Sequence, residues 1–296
     1  MDAALEQMVV RLSDPVHTAR GTVADRPGVV VVLSDHAGRT ARGEIAPLPG
    51  WSSCSFAAAR AQAERWIAET LATGEPAVCD VLAPEARAGI DAALWGLTAA
   101  EAQVPLWRAL GGRGSGGSID VNALVTAADP GELASAASRA QADGFSTLKT
   151  KLGMGDDHAR LRALAGATDS GTRIRLDANA SWDVSEATAM TERATSVLGE
   201  RLEYIEDPVG SLDELEQLRS VNDSPVAVDE LVRGPADLDR VIGAGLADVV
   251  VLKPAFLGGC TDVLDLARLA RAAAVDVVIS AAYDGAVGLE AWCHLA

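Results

Sequence analysis

Five charged residues recur at nearly even spacing through the second half of the sequence: Lys151, Asp177, Glu206, Asp229 and Lys253. Successive members lie 26, 29, 23 and 24 positions apart, and each closes a short apolar run. Three carboxylates gathered at one place repel one another unless a cation stands between them. Hard oxygen donors suit Mg²⁺ for that part, with Mn²⁺ as a second choice. A metal held by Asp177, Glu206 and Asp229 would accept a substrate carboxylate oxygen. It would thereby stabilise the enediolate left when the adjacent carbon loses its proton. Lysine is the natural proton acceptor here. Only Lys149, Lys151 and Lys253 among the 25 basic residues are lysine; the rest are arginine. Arginine stays protonated, whereas a lysine amine can be tuned to give and take a proton. Like charge from Lys149 and a nearby metal is expected to favour the neutral amine at Lys151, the form a general base needs.

Such a site needs elements that bring distant positions together. From residue 119 onward the pattern alternates between short apolar runs and helical, alanine- and leucine-rich stretches. The runs are 121–125, 147–151, 174–177, 202–206, 226–229, 249–253 and 277–280. Seven strands at intervals of roughly 25 residues, each followed by a helix, indicate a (β/α) barrel more than an open doubly wound sheet. In such a barrel the strand ends form one rim, and catalytic groups sit there. Strand side chains alternate faces, so Lys149 and Lys151 point the same way, as do Arg175 and Asp177. Taken singly, an Asp or Glu at a strand end is a helix cap or a solvated loop residue. Asp207 and Glu230, each one position off the series, are read in that way. The five-member periodicity is what separates the others from this class.

The first third is mixed α and β. A strand is expected at 29–33, a turn at 34–38 and a second strand near 43–45, followed by helices at about 55–73 and 84–102. Residues 111–117 (Gly-Gly-Arg-Gly-Ser-Gly-Gly) mark a domain boundary. A GxGxxG pattern falls there at Gly112, Gly114 and Gly117, but a helix precedes it and a strand follows. The dinucleotide fingerprint needs the reverse order and is rejected. The expected architecture is therefore α/β. It comprises an N-terminal α+β domain (1–110), a Gly-rich linker (111–118) and a TIM-type (β/α) barrel (119–296).

Composition sets limits on partners. With a formal charge of −17, the protein lacks the basic footprint that nucleic acid or an anionic membrane demands. A small anionic substrate remains compatible, provided one pocket is locally positive. Cys54, Cys79, Cys260 and Cys293 form no CxxC pair and read as buried free thiols. His17, His36, His158 and His294 share no spacing suited to a metal or a triad and read as turn or surface residues. Asp156-Asp157 and Asp213-Glu214 read as helix N-terminal charge. Charges at Asp2, Glu6, Arg11 and Asp14 are wrong for a secretory signal, and no apolar run approaches membrane-spanning length. A cytoplasmic protein is expected; nothing in the sequence addresses oligomeric state.

The residues resemble the enolase superfamily and, within it, the muconate lactonizing subgroup. Lys149-Thr150-Lys151 is similar to that family's Lys-x-Lys, and Asp177-Ala178-Asn179 to its Asp-x-Asn. Glu206-Asp207-Pro208 is similar to its Glu-Asp/Glu-Pro, and Asp229-Glu230 to its Asp-Glu. Lys253, in Leu252-Lys253-Pro254, is similar to its final lysine. A narrower resemblance is to the o-succinylbenzoate synthase family. It rests on residues 43–52 (Gly-Glu-Ile-Ala-Pro-Leu-Pro-Gly-Trp-Ser), on Arg175 and on Val287-Gly288-Leu289.

The resemblance implies that the N-terminal domain is a capping domain and that the barrel is of the modified type, with its last strand missing from the chain. It also implies metal ligation by Asp177, Glu206 and Asp229. It implies acid–base work by Lys151 on a small dicarboxylate, and a cationic role for Lys253 beside the resulting anion. Lys149, Arg175 and Asn179 would serve the substrate or its electrostatics. Residues 280–285 (Ser-Ala-Ala-Tyr-Asp-Gly) depart from the family, which has serines where this chain has alanines. Other readings stay open. They are an N-acylamino acid racemase or dipeptide epimerase with two opposed lysine bases, a Schiff-base aldolase using Lys253, and a truncated, non-catalytic barrel.

Overall fold

The computed structural model describes residues 1–18 and 21–296; the side chain of His17 lies outside the described residues. In the N-terminal region, β1 (Asp2–Thr18), β2 (Gly21–Ser34) and β3 (Thr40–Ile45) precede α1 (Phe56–Thr73), α2 (Pro84–Ala102) and α3 (Leu106–Ala109). Strand and helix then alternate: β4 (Ala123–Leu124), α4 (Pro130–Ala142), β5 (Thr147–Lys151), α5 (Asp157–Ala167), β6 (Arg173–Asp177) and α6 (Val184–Leu198). The alternation continues with β7 (Leu202–Glu206), α7 (Leu212–Arg219), β8 (Val226–Val228), α8 (Pro235–Gly243) and β9 (Val249–Leu252). The chain closes with α9 (Pro254–Leu257), α10 (Cys260–Ala272), β10 (Asp276–Ile279) and α11 (Ala286–Leu295).

Two sheets result, an antiparallel one in the order β1-β2-β3 and a seven-stranded one in the order β4 through β10. Pairing is parallel from β4 to β9, as strand–helix–strand connections require. This is the expected fold class: barrel-type β/α alternation with seven strands among the described residues, beside an N-terminal α+β portion. The chain divides into two compact units. One comprises residues 1–118, 252–269 and 278–296; the other comprises 119–251 and 270–277. The boundary at 118/119 coincides with the Gly-rich stretch. Residues 252–269 and 278–296 thus group with the N-terminal residues, and 270–277 with the other unit.

In the first unit, Val29, Val31, Leu33 and Ile45 of the sheet pack with Ala59, Ala63 and Trp66 of α1 and with Ala86, Ile90 and Ala93 of α2. Alternation along β2 and β3 supplies one buried face, and alanines let the helices lie close to it. The approach is closest where β3 crosses α2 at two glycines. A Cβ on Gly43 would sit 1.8 Å from the carbonyl oxygen of Gly89. Buried polar groups join the C-terminal segments to this unit. Glu44 accepts from the N–H groups of Gly285 (2.6 Å) and Gly288 (3.0 Å). Arg26 donates to the carbonyls of Ala46, Ala282 and Tyr283, and Asp91 accepts from Thr261 N–H at 3.0 Å.

Three expectations change. β1 was not foreseen, because polar residues such as Asp2, Glu6, Gln7 and Arg11 interrupt its apolar positions; pairing with β2 from Asp2↔Ser34 to Arg11↔Asp25 makes it a strand. The run at 121–125 shrinks to Ala123–Leu124, an edge strand bonded only to β5, with Val121 and Leu124 exposed. All four cysteines are free, but only Cys260 is buried, and Cys293 is exposed. No helix among the described residues is long and apolar enough to cross a membrane.

Candidate active site

In the second unit, side-chain capping starts the helices that follow the strands. Asp129, Asp156, Asp183 and Ser211 each accept from an N–H in the first turn of the next helix. The Asp156 and Ser211 caps, with Glu214 in the first turn of α7, bear out the reading of those acidic pairs as helix N-terminal charge. Strand register then sets the heights of the charged residues. Lys151 pairs with Asp177, and Asp177 with Glu206. Glu206 pairs with Ala227, and Asp229 lies two residues beyond Ala227, on the same face by strand alternation. The ladder runs on past the strand ends: Leu152 N–H donates to Asp177 O (2.8 Å), Ala178 N–H to Glu206 O (3.0 Å) and Asp207 N–H to Ala227 O (3.0 Å). The rim residues therefore stand on paired backbone.

Asp177, Glu206 and Asp229 are all buried. Lys149 Nζ lies 2.6 Å from Glu206 Oε2 and 3.0 Å from Asp177 Oδ2. Burial alone would lower the Lys149 ammonium; the carboxylates of Glu206 and Asp177 outweigh it and hold the group above its ordinary value. Burial pushes the Glu206 carboxyl well up, Lys149 opposes that rise, and repulsion from Asp177 and Asp229 adds to it. Four of the five members of the periodic series thus sit at successive strand ends of this unit. Lys253 directly follows β9, its backbone carbonyl accepts from Phe256 N–H (2.9 Å) and Leu257 N–H (3.1 Å) at the start of α9, and it belongs to the other unit.

Asp177 Oδ1 accepts from Asn179 N–H at 3.0 Å, a local turn that needs the left-handed backbone of Asn179 (φ 47°). The Asn179 side chain is exposed. Arg175 is engaged within the unit: Nε and Nη2 reach the two carboxylate oxygens of Glu203 (2.8 and 3.2 Å), and Nη1 donates to Asn122 Oδ1 at 2.9 Å. Its guanidinium also lies over the Tyr204 ring.

Asp207 is the main correction to the sequence reading. It is no solvated loop residue. Its side chain is buried, and its two oxygens accept from the N–H groups of Asp229 (3.0 Å) and Glu230 (2.9 Å). Burial pushes its carboxyl up to about 7, with the Asp229 charge adding to the rise. Alternation turned it away from the face of Glu206, which is why spacing dismissed it. That other face looks onto the backbone of the next strand end.

The donor set fits a hard divalent cation in type and charge, since three buried carboxylates crowd one another electrostatically. Among the described residues, no three His, Cys, Asp or Glu side chains are gathered in a ready-made metal cage. The cation that Glu206 and Asp177 share in this structure is the Lys149 ammonium. The three carboxylates stand on adjacent strand ends, where side-chain rotation can gather them.

Known proteins bear on this geometry. Residues 132–296 match the family described as Enolase C-terminal domain-like, and residues 3–97 match MenC, N-terminal domain. An o-succinylbenzoate synthase of Thermobifida fusca (strain YX) is 38% identical over 184 residues, covering 60% of this chain and 55% of that enzyme. The matched stretch spans about half the length of that relative. An L-Ala-D/L-Glu epimerase of Bacillus subtilis (strain 168) is 28% identical over 98% of this chain and 82% of its own length. The structure of a substrate-liganded complex of the B. subtilis epimerase superposes with a TM-score of 0.87 at 24% identity, covering 100% of this chain and 86% of that one. The structure of o-succinylbenzoate synthase from Thermosynechococcus elongatus BP-1, complexed with Mg in its active site, gives 0.79 at 27% identity, covering 100% and 89%. Fold, rim chemistry and a family match over more than half of the sequence agree, and the chain belongs to the enolase superfamily.

Proposed function

We propose that the chain is an o-succinylbenzoate synthase. The reaction is the Mg²⁺-dependent syn-dehydration of 2-succinyl-6-hydroxy-2,4-cyclohexadiene-1-carboxylate (SHCHC) to o-succinylbenzoate, a step of menaquinone biosynthesis. The observation that carries this reading is the match of residues 3–97 to the MenC N-terminal domain, a stretch that includes residues 43–52. Asp177, Glu206 and Asp229 would hold the metal. When bound, it supplies positive charge for the substrate carboxylate as the neighbouring carbon becomes acidic. Lys151 takes the proton from that carbon and, as an ammonium, returns it to the departing hydroxyl on the same face. Lys253 contributes cationic charge toward the delocalised anion. Lys149, tied to Glu206 and Asp177, helps hold those carboxylates in place.

A second reading is supported by the B. subtilis relative, which matches nearly the whole chain. In that reading Lys151 and Lys253 are opposing bases of an epimerase or racemase. One paired assay separates the two. With Mg²⁺ present, loss of the SHCHC chromophore is followed alongside α-proton exchange of N-succinyl amino acids and Ala-Glu dipeptides in deuterated water. Dehydration is expected. Exchange without dehydration overturns the synthase reading in favour of the second. Silence in both, from folded protein, points to a non-catalytic barrel.

A further inference from the structure

Arg160, on α5, is fully buried, and its donors are spent on the backbone around Lys151. Nη2 donates to the carbonyl of Lys151 at 2.7 Å and Nε to the carbonyl of Ala127 at 2.8 Å. Nη1 pairs with Asp157 Oδ1, and Asp157 Oδ2 accepts from Gly153 N–H at 2.7 Å. From the opposite side, Leu152 N–H donates to Asp177 O at 2.8 Å. The peptide unit between Lys151 and Leu152 is therefore held at both its polar groups, one of them by a buried cation. Helix α5 does not need this pair to begin, because Asp156 already caps it by accepting from Ala159 N–H. Strand β5 does not need it either, since all five of its residues pair with β6. Burying a guanidinium is costly unless its donors are used. Here they are used to pin the turn from 151 to 157.

We infer that Arg160, with Asp157, is a positioning residue for Lys151, fixing the backbone from which the proposed general base projects. This rests on the reading of Lys151 as that base. A lysine side chain has four rotatable bonds, so its amine is only as well placed as its Cα and first torsions. A displacement of the backbone at 151–152 would carry the Lys151 Cα, and with it Nζ, away from a substrate carbon with no substitution of any group that touches the substrate. A planar fork can bond two carbonyls and a carboxylate at once, and a lysine at 160 cannot.

The test uses the full-length protein labelled with ¹³C-lysine. With three lysines in the chain, Lys151→Arg and Lys253→Arg assign the signals. In Arg160→Lys, the Lys151 Cε signal is expected to shift or broaden while that of Lys253 stays. Amide exchange at Leu152 and Gly153 should quicken at least about ten-fold as local opening becomes easier. For SHCHC turnover, kcat should fall about 10²-fold with KM little changed, the signature of misplaced reacting groups. If Arg160→Lys does not fold, Asp157→Asn takes its place in the same measurements. An unmoved Lys151 signal with unchanged amide protection in a folded variant overturns the inference. If the wild-type protein turns over neither substrate class, the reading of Lys151 as base falls. The resonance and exchange measurements then still decide whether Arg160 positions it.

Discussion

Buried charge is used in opposite ways in the two units of this molecule. In the first, Glu44, Arg26 and Asp91 are satisfied mainly by backbone groups and a hydroxyl, and they join segments far apart in sequence. In the second, carboxylates of one sign are crowded at adjacent strand ends, and burial with mutual repulsion pushes Glu206 up. Charges that stabilise a fold are arranged so that each finds a partner. Charges that do chemistry are left in an arrangement that a cation completes. The difference marks the strand ends that carry Asp177, Glu206 and Asp229 as the part of the second unit built for a cation.

That contrast can be broken in four places. Lys151→Arg keeps the charge but removes the proton acceptor, so turnover should fall by about 10³-fold while the melting temperature stays nearly constant; an active variant would remove Lys151 from the chemistry. Lys149→Met strips the cation that Glu206 and Asp177 share and should cost about 3 kcal/mol in urea unfolding, with part of the loss recovered in excess Mg²⁺. A loss of the same size that Mg²⁺ leaves untouched would argue against metal at the rim.

Gly43→Ala tests the scaffold side, where packing rather than charge decides. The new methyl meets the Gly89 carbonyl oxygen at 1.8 Å, and overpacking of this kind should cost about 2 kcal/mol in unfolding with the kinetics of folded enzyme preserved. Glu44→Gln should cost about 1 kcal/mol, the smallest effect. Its pH dependence has a definite sign. Burial raises the folded-state value of Glu44 above the ordinary carboxylate range, so its contribution is full below that range and is lost as pH rises through the folded value. The gap between wild type and variant should therefore narrow as pH rises from about 4 toward neutrality. A gap that widened would reverse the assignment.

Much of the second unit was legible because its rules are periodic. The segments 147–151 and 202–206 fall at the nearly constant interval of the strand–helix units and were observed with those bounds. Helices α1 and α2 began and ended within a residue of expectation, since Ser55, Gly74 and Pro84 are local start and stop signals. Strand β1 was not legible, because a half-exposed strand interrupted by polar residues carries too weak a pattern. Asp207 and Arg160 escaped for another reason. A buried charge satisfied by backbone groups has no partner visible in sequence, so it looks like any surface Asp or Arg.

By itself the sequence determined which residues could do chemistry and at what interval they recur, because strand–helix units have a nearly constant length and side chains alternate along a strand. Only the tertiary structure decided how those residues are held. It tied Lys149 to Glu206 and Asp177, spent Arg175 on Glu203, set Asp207 under the Asp229 backbone and placed Arg160 beneath Lys151. Those contacts join positions 9 to 57 residues apart. Their partners are chosen by register and burial, quantities that exist only once the chain has folded.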